Sequence, residues 1–123
     1  MDTVVQTSAR QQQITKDYIK ALDTHIADLK NGLVDRALEI NEFATQLYLH
    51  PTHLSNTIKA VTGQSTCHLY ETRLLQAAKD LLLQTDMPIG QIAMQLTYDP
   101  SNFTKFFKAY TGITPKQFRQ QQA

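Results

Sequence analysis

One cysteine, Cys67, excludes a disulfide framework and any zinc finger built on thiolate pairs. Tryptophan is absent, and four glycines with four prolines are sparse punctuation for 123 residues. A β-sandwich or barrel, with its many turns, needs more. Met1-Asp2-Thr3-Val4-Val5-Gln6 lacks a basic region followed by an apolar run, so no secretory signal is expected. The longest aliphatic run, Leu81-Leu82-Leu83, is far short of a membrane span, and cytoplasm is the expected compartment. A surplus of either charge is also missing. Twelve Lys and Arg against eleven Asp and Glu leave +1, which by itself does not suggest nucleic acid. What remains is 41% apolar and 19% charged, enough for a packed core and inconsistent with wholesale disorder.

Residues 1–13 are polar, end in Gln11-Gln12-Gln13 and show no apolar period; they read as a tail or linker remnant. From Ile14 the pattern changes. Ile14, Tyr18, Leu22, Ile26 and Leu29 follow at steps of four, four, four and three, an amphipathic helix closed by Asn31-Gly32. Farther on, Pro51, Pro88, Pro100 and Pro115 each precede an apolar-periodic segment, and Gly63 and Gly112 each follow one. These marks predict helices near 40–47, 51–61, 66–84, 88–96, 100–110 and 115–120. No stretch alternates with period two. The expected fold class is all-α, with about seven helices.

Sliding the sequence against itself by 49 residues reveals an internal repeat. Ile40 falls on Ile89, Phe43 on Ile92, Ala44 on Ala93 and Leu47 on Leu96; Pro51 meets Pro100, Leu54 meets Phe103 and Ile58 meets Phe107. Thr62-Gly63 lands on Thr111-Gly112. Two copies are too few for a solenoid, so the period marks a duplicated compact unit. Each unit reads as a short helix, a tight turn and a second helix. Ala44 or Ala93 allows the two helices to approach, with Leu47, Leu54 and Ile58, or Leu96, Phe103 and Phe107, supplying buried contacts. That is the pattern of a helix-turn-helix, whose second helix enters a DNA major groove. Two helical hairpins without any ligand would show the same periodicity.

The outward positions separate these readings. On the second helix of the first copy they are Thr52, His53, Ser55, Asn56 and Lys59; in the second copy they are Ser101, Asn102, Thr104, Lys105 and Lys108. Both sets combine short hydrogen-bonding side chains with lysine, and neither contains a carboxylate. A solvated helix face more often mixes Glu with Lys. Ser, Thr and Asn can meet base edges, and Lys can meet guanine or phosphate.

These residues resemble the DNA-binding domain of the AraC/XylS family of bacterial transcription regulators, over roughly residues 12–119. The strongest stretch is Ile89-Gly90-Gln91-Ile92-Ala93, then Pro100-Ser101-Asn102-Phe103-Thr104-Lys105-Phe106-Phe107-Lys108, then Thr111-Gly112-Ile113-Thr114-Pro115-Lys116-Gln117-Phe118-Arg119. Arg73-Leu74-Leu75-Gln76-Ala77-Ala78-Lys79-Asp80-Leu81-Leu82 is similar to the family's long joining helix. The resemblance implies a domain over residues 14–120: a first helix-turn-helix at 40–63, a linker helix at 66–84 and a second helix-turn-helix at 88–112. Recognition helices 51–61 and 100–110 would read successive major-groove segments of double-stranded DNA. Carried over by position, Thr52, Ser55, Asn56, Ser101, Asn102, Thr104 and Lys105 would contact bases. His53, Lys59 and Lys108 would contact phosphates, which set register without carrying sequence information. RNA polymerase is implied as a further partner, as is an effector-binding domain missing from this sequence. With no zipper or sensor segment evident, monomeric binding is expected. The alternative is a helical protein-interaction module descended from this family with little or no DNA affinity.

The sequence also departs from the family pattern. Tyr48 and Thr97 stand where the family has glycine in the inter-helix turns. A β-branched threonine is a poor occupant of a positive-φ site, so the second turn is expected to take another route. That turn also looks one residue short. Asn56 stands where arginine is common, which implies weaker binding by the first unit.

Other residue types point to no chemistry of their own. Cys67 and His68 are neighbours on a helix, about 100° apart, and do not converge as a nucleophile and base; a buried or inert thiol is expected. His50 and His53 have no carboxylate or thiol close by to complete a metal site, so capping or phosphate contact is expected instead. Phe103 and Phe107 read as core, whereas Phe106, matching Thr57, reads as partly exposed. No glycine-rich phosphate loop, nucleophile elbow or paired carboxylate is present, so neither catalysis nor a cofactor is expected.

The near-zero charge divides unevenly. Residues 1–39 hold five basic and six acidic groups, and residues 40–123 hold seven basic and five acidic. From Pro100 onward Lys105, Lys108, Lys116 and Arg119 face no acidic residue. The second unit is therefore expected to supply most of the electrostatic attraction.

Overall fold

The computed structural model describes residues 7–122, which form seven helices and no strand. They are α1 (Ala9–Lys30), α2 (Ile40–Gln46), α3 (Pro51–Thr62), α4 (Thr66–Gln84), α5 (Ile89–Gln95), α6 (Pro100–Thr111) and α7 (Pro115–Gln122). No helix among the described residues is long and apolar enough to cross a membrane.

Helix ends follow local chemistry. Ser8 Oγ accepts from the Gln11 N–H at 3.0 Å while Gln11 Oε1 accepts from the Ser8 N–H at 2.9 Å, a reciprocal cap that starts α1 at Ala9. Residues 9–13, read from sequence as tail, are therefore helical. Residues 1–6 of that expected tail, with the stretch judged for a secretory signal, lie outside the described residues. Thr114 and Gln117 make the same reciprocal pair at the start of α7, and Ser65 Oγ accepts from the His68 N–H in α4. Gly63 and Gly112 close α3 and α6 at φ of +75° and +82°, a conformation that glycine adopts without steric cost.

The chain forms two units, each discontinuous in sequence. The first takes the described residues up to His25 together with Leu38–Glu71. The apolar stripe of α1 puts Ile14, Tyr18 and Leu22 in its core with Phe43, Ala44, Leu54 and Ile58. The Tyr18 and His25 rings both meet Phe43 edge-on, at 5.4 and 5.8 Å between centroids. His25 Nε2 accepts from the Leu38 N–H at 3.1 Å, fixing the approach to α2. Each fully buried Leu, Ile or Phe side chain contributes about 1.5–3 kcal/mol.

The second unit takes Ile26–Ala37 together with the chain from Thr72 onward. Its core holds Ile26, Leu29, Leu74, Leu82, Ile92, Leu96, Phe103 and Phe107. Phe107 meets Phe118 of α7 edge-on at 5.4 Å. Lys30 pairs with Asp80 at 3.0 Å, and the Lys30 carbonyl accepts from Gln95 Nε2. Arg119 closes α4: its Nε donates to the Leu82 carbonyl at 2.9 Å and its Nη2 to that of Thr85 at 3.2 Å.

The 49-residue register persists at the level of single hydrogen bonds. Ala44 and Ala93 are both fully buried in the middle of their helices. Thr62 Oγ1 lies 2.7 Å from the Ile58 carbonyl and accepts from the Gln64 N–H; Thr111 Oγ1 lies 2.8 Å from the Phe107 carbonyl and accepts from the Ile113 N–H. Two apolar expectations are corrected. Leu47 is only half-buried, whereas its mate Leu96 is fully so. Phe106 is buried, at 9% exposed, rather than partly exposed, because Tyr98 stacks on it at 5.0 Å and Tyr110 meets it edge-on at 5.3 Å.

Candidate nucleic-acid interface

α2 reaches α3, and α5 reaches α6, through turns of the same length and hydrogen bonding. In the first, Tyr48 N–H donates to the Thr45 carbonyl and Leu49 N–H to that of Ala44. In the second, Thr97 N–H donates to Met94 and Tyr98 N–H to Ala93. Tyr48 has φ of +58° and Thr97 has φ of +73°. The expectation of a different second route is thus overturned. Hydrogen bonds to the Met94 and Ala93 carbonyls of α5 hold the turn, and Thr97 takes the left-handed conformation despite its branched Cβ, at a cost of about 1–2 kcal/mol.

α3 and α6 start on side-chain caps: the one from His50 fulfils the capping expected for that residue, and the one from Asp99 was not expected. His50 Nδ1 accepts from the Thr52 N–H at 3.2 Å at the head of α3. Asp99 does the same for α6, with Oδ1 accepting from the Ser101 N–H at 3.3 Å and Oδ2 from the Ser101 hydroxyl at 3.0 Å. Pro51 and Pro100 follow at the first helical position, where a missing N–H is harmless. Leu54 and Ile58, like Phe103 and Phe107, turn inward and fix which side of each helix faces out.

On α3, Thr52, His53, Asn56 and Lys59 are exposed and Ser55 is half-buried. On α6, Ser101, Asn102, Lys105 and Lys108 are exposed and Thr104 is half-buried. Thr52, Ser55, Asn56 and Lys59, at spacings of three, one and three, share a face, as do Ser101, Thr104, Lys105 and Lys108 in the same register. His53 and Asn102 occupy matching positions beside that face. Each unit therefore gathers its own set of five.

Several of these groups have partners within the chain. The Lys59 ammonium donates to the Gly63 carbonyl at 3.1 Å, so this cation leans towards the C-terminal end of α3. The Thr104 hydroxyl donates to the Pro100 carbonyl at 3.2 Å, and Ser101 is held by Asp99. Asn56 and Asn102 supply the exposed amides, and Lys105 and Lys108 the exposed ammonium groups of α6.

The electrostatic expectation needs two amendments. Arg119 is committed to the end of α4, which leaves Lys105, Lys108 and Lys116 as the exposed cations from Pro100 onward. Asp99 places a carboxylate at the mouth of α6, immediately before the acid-free stretch. The cap signal, Asp two residues before a Ser with proline between, was present in the sequence.

Cys67 is exposed rather than buried. Its thiol is pushed up from its ordinary value by desolvation and then by the Glu71 carboxylate, which makes it a weak nucleophile at neutral pH. An open groove of the second unit, lined by Gly32, Val34, Pro88 and Met94, contains none of the outward residues of α6. Among the described residues no group of three His, Cys, Asp or Glu side chains is placed to hold a metal.

With this geometry in view, known proteins supply the family. A family model described as a helix-turn-helix domain matches residues 43–121. The uncharacterized HTH-type transcriptional regulator YtdP of Bacillus subtilis is 33% identical over 103 residues, and the arabinose operon regulatory protein of Salmonella typhimurium is 29% identical over 103 residues. These matches take in 83% and 80% of this chain, but only 13% and 37% of those much longer proteins. The solved C-terminal domain of AraT, a response regulator from Geobacillus stearothermophilus, is 29% identical, with a TM-score of 0.76 over 88% of this chain and 84% of that one. The chain belongs to the family of AraC-type helix-turn-helix domains.

Proposed function

We propose that this chain binds double-stranded DNA sequence-specifically, as the DNA-binding part of a bacterial transcription regulator, with α3 and α6 each entering a major-groove segment. The observation that carries this reading is the pair of matched, carboxylate-free faces on α3 and α6, presented on identically built turns. Thr52, Ser55, Asn56, Ser101, Asn102, Thr104 and Lys105 are the base-contacting set, and His53, Lys59 and Lys108 the phosphate-contacting set. Membership among proteins named as transcriptional regulators supports the same reading. Binding as a monomer in the cytoplasm, contact with RNA polymerase and regulation through an effector-binding domain outside this span complete it; none of these involves catalysis by this chain.

Selection of bound duplexes from a random library tests the proposal and yields the site. Affinity for the selected duplex should fall with salt by about 0.9 log units per log unit of salt for each phosphate neutralised. Lys105→Ala and Asn56→Ala should each relax base preference at one position, by about 1–3 kcal/mol. A chain that binds no duplex at low salt is instead a protein-interaction module.

A further inference from the structure

Tyr48 and Thr97 are the two non-glycine residues of positive φ among the described residues, and the repeat places them on one another. Each stands two residues before the capping residue of a recognition helix. Each ends in a hydroxyl. Tyr48 is 95% exposed and Thr97 is also exposed, and neither hydroxyl has a hydrogen-bond partner among the described residues. Glycine would relieve the backbone at both positions, so these side chains do nothing for the stability of the turn that carries them. Their chemistry faces outward.

In a docked helix-turn-helix, the first helix crosses the sugar-phosphate backbone while the start of the second enters the groove. The turn between them therefore borders the backbone, where phosphate oxygens accept hydrogen bonds from Tyr and Thr hydroxyls. We propose that Tyr48 and Thr97 are phosphate-contacting residues, each hydroxyl donating to a backbone phosphate beside the groove that its recognition helix reads. The inference rests on the DNA-binding reading above. In the first unit it supplies a backbone contact where Lys59 is drawn to the Gly63 carbonyl. Because both donors are neutral, they position the helix without displacing counterions, and they read no base.

The test is a titration of the duplex recovered by selection, and of a scrambled duplex, at several salt concentrations, with the melting temperature of every variant recorded. Tyr48→Phe and Thr97→Val remove the hydroxyls and keep the shapes. Each should weaken binding roughly three- to tenfold on both duplexes with the salt slope unchanged. Tyr48→Gly should melt higher than the unaltered chain and yet bind more weakly, a divergence that a purely structural residue does not produce. Full affinity in Tyr48→Phe and Thr97→Val overturns the proposal, and so does a loss confined to the selected duplex. Failure of the unaltered chain to bind any duplex overturns the DNA-binding reading itself, and this proposal with it.

Discussion

Thr97→Gly should stabilise the protein, although it deletes a side chain. Thr97 holds φ of +73°, where a residue with a Cβ is disfavoured by about 1–2 kcal/mol and a β-branched one lies towards the upper end. Its side chain is exposed, so little packing is lost on removal. Glycine returns part of the gain by loosening the unfolded chain, about 0.4–1 kcal/mol. The net is a stabilisation of about 1 kcal/mol, or roughly 4 °C in melting temperature for a chain of this size. Thermal unfolding followed by circular dichroism reads the shift, and urea titration should move the midpoint with an unchanged slope. Thr97→Ala keeps the Cβ that causes the strain and should recover little of the gain. A Thr97→Gly protein that melts at or below the unaltered temperature would refute the argument, because the left-handed turn would then carry no strain for glycine to release.

Four further expectations concern single side chains of the two units. Tyr70 buries a hydroxyl that finds no partner among the described residues, and burial pushes its phenol above the usual range. Tyr70→Phe should therefore stabilise by about 1 kcal/mol in urea titration, and a loss of stability would show that the hydroxyl is satisfied. Arg119→Ala removes both donors from the end of α4 and should cost about 1–3 kcal/mol while leaving the salt slope of DNA binding unchanged; Lys108→Ala should flatten that slope by about 0.9 with little effect on stability. The Asp80 carboxyl is pushed up by partial desolvation, but hydrogen bonds from Lys30 and Gln76, with the Lys30 charge, bring it below its ordinary value of 3.8. Its folded value thus lies under its unfolded one, so its contribution is present above the ordinary value and is lost as pH falls through the folded value. Acid titration of Asp80→Asn against the unaltered chain should show a difference of at most about 1 kcal/mol at neutral pH that vanishes in acid.

The parts of the fold legible in the sequence are those set by near neighbours. Apolar spacing marks the helices, and one fixed offset marks both the α2–α3 and the α5–α6 pair, because each pair repeats its own local contacts. The start of α1 was legible too, in the Ser8–Gln11 pair, but the polar composition of residues 1–13 obscured it. Arg119 and Phe106 were misplaced for another reason. The carbonyls that hold Arg119 lie more than thirty residues back along the chain, and the ring that covers Phe106 comes from the preceding turn. By charge type alone Arg119 counts among the cations expected to add electrostatic attraction. The left-handed turn at Thr97 resisted reading because residue propensity argued against it, while hydrogen bonds to Ala93 and Met94 favoured it. At the candidate site, residue identity and outward direction were readable, whereas internal partners such as Gly63 for Lys59 and Asp99 for Ser101 were not.

The division of α1 and α4 between the two units has a practical consequence for anyone cutting the gene. The repeat boundary invites a clean scission before α4, giving two half-length proteins, one with α3 and one with α6. Such a cut would strip Ile26 and Leu29 from the second half, together with the Lys30 groups that meet Asp80 and Gln95. It would take Leu69 and Tyr70 from the first. A half-length protein made this way needs the missing helix segment grafted back, so each unit is portable only with the stretch of α1 or α4 that the cut leaves on the other side.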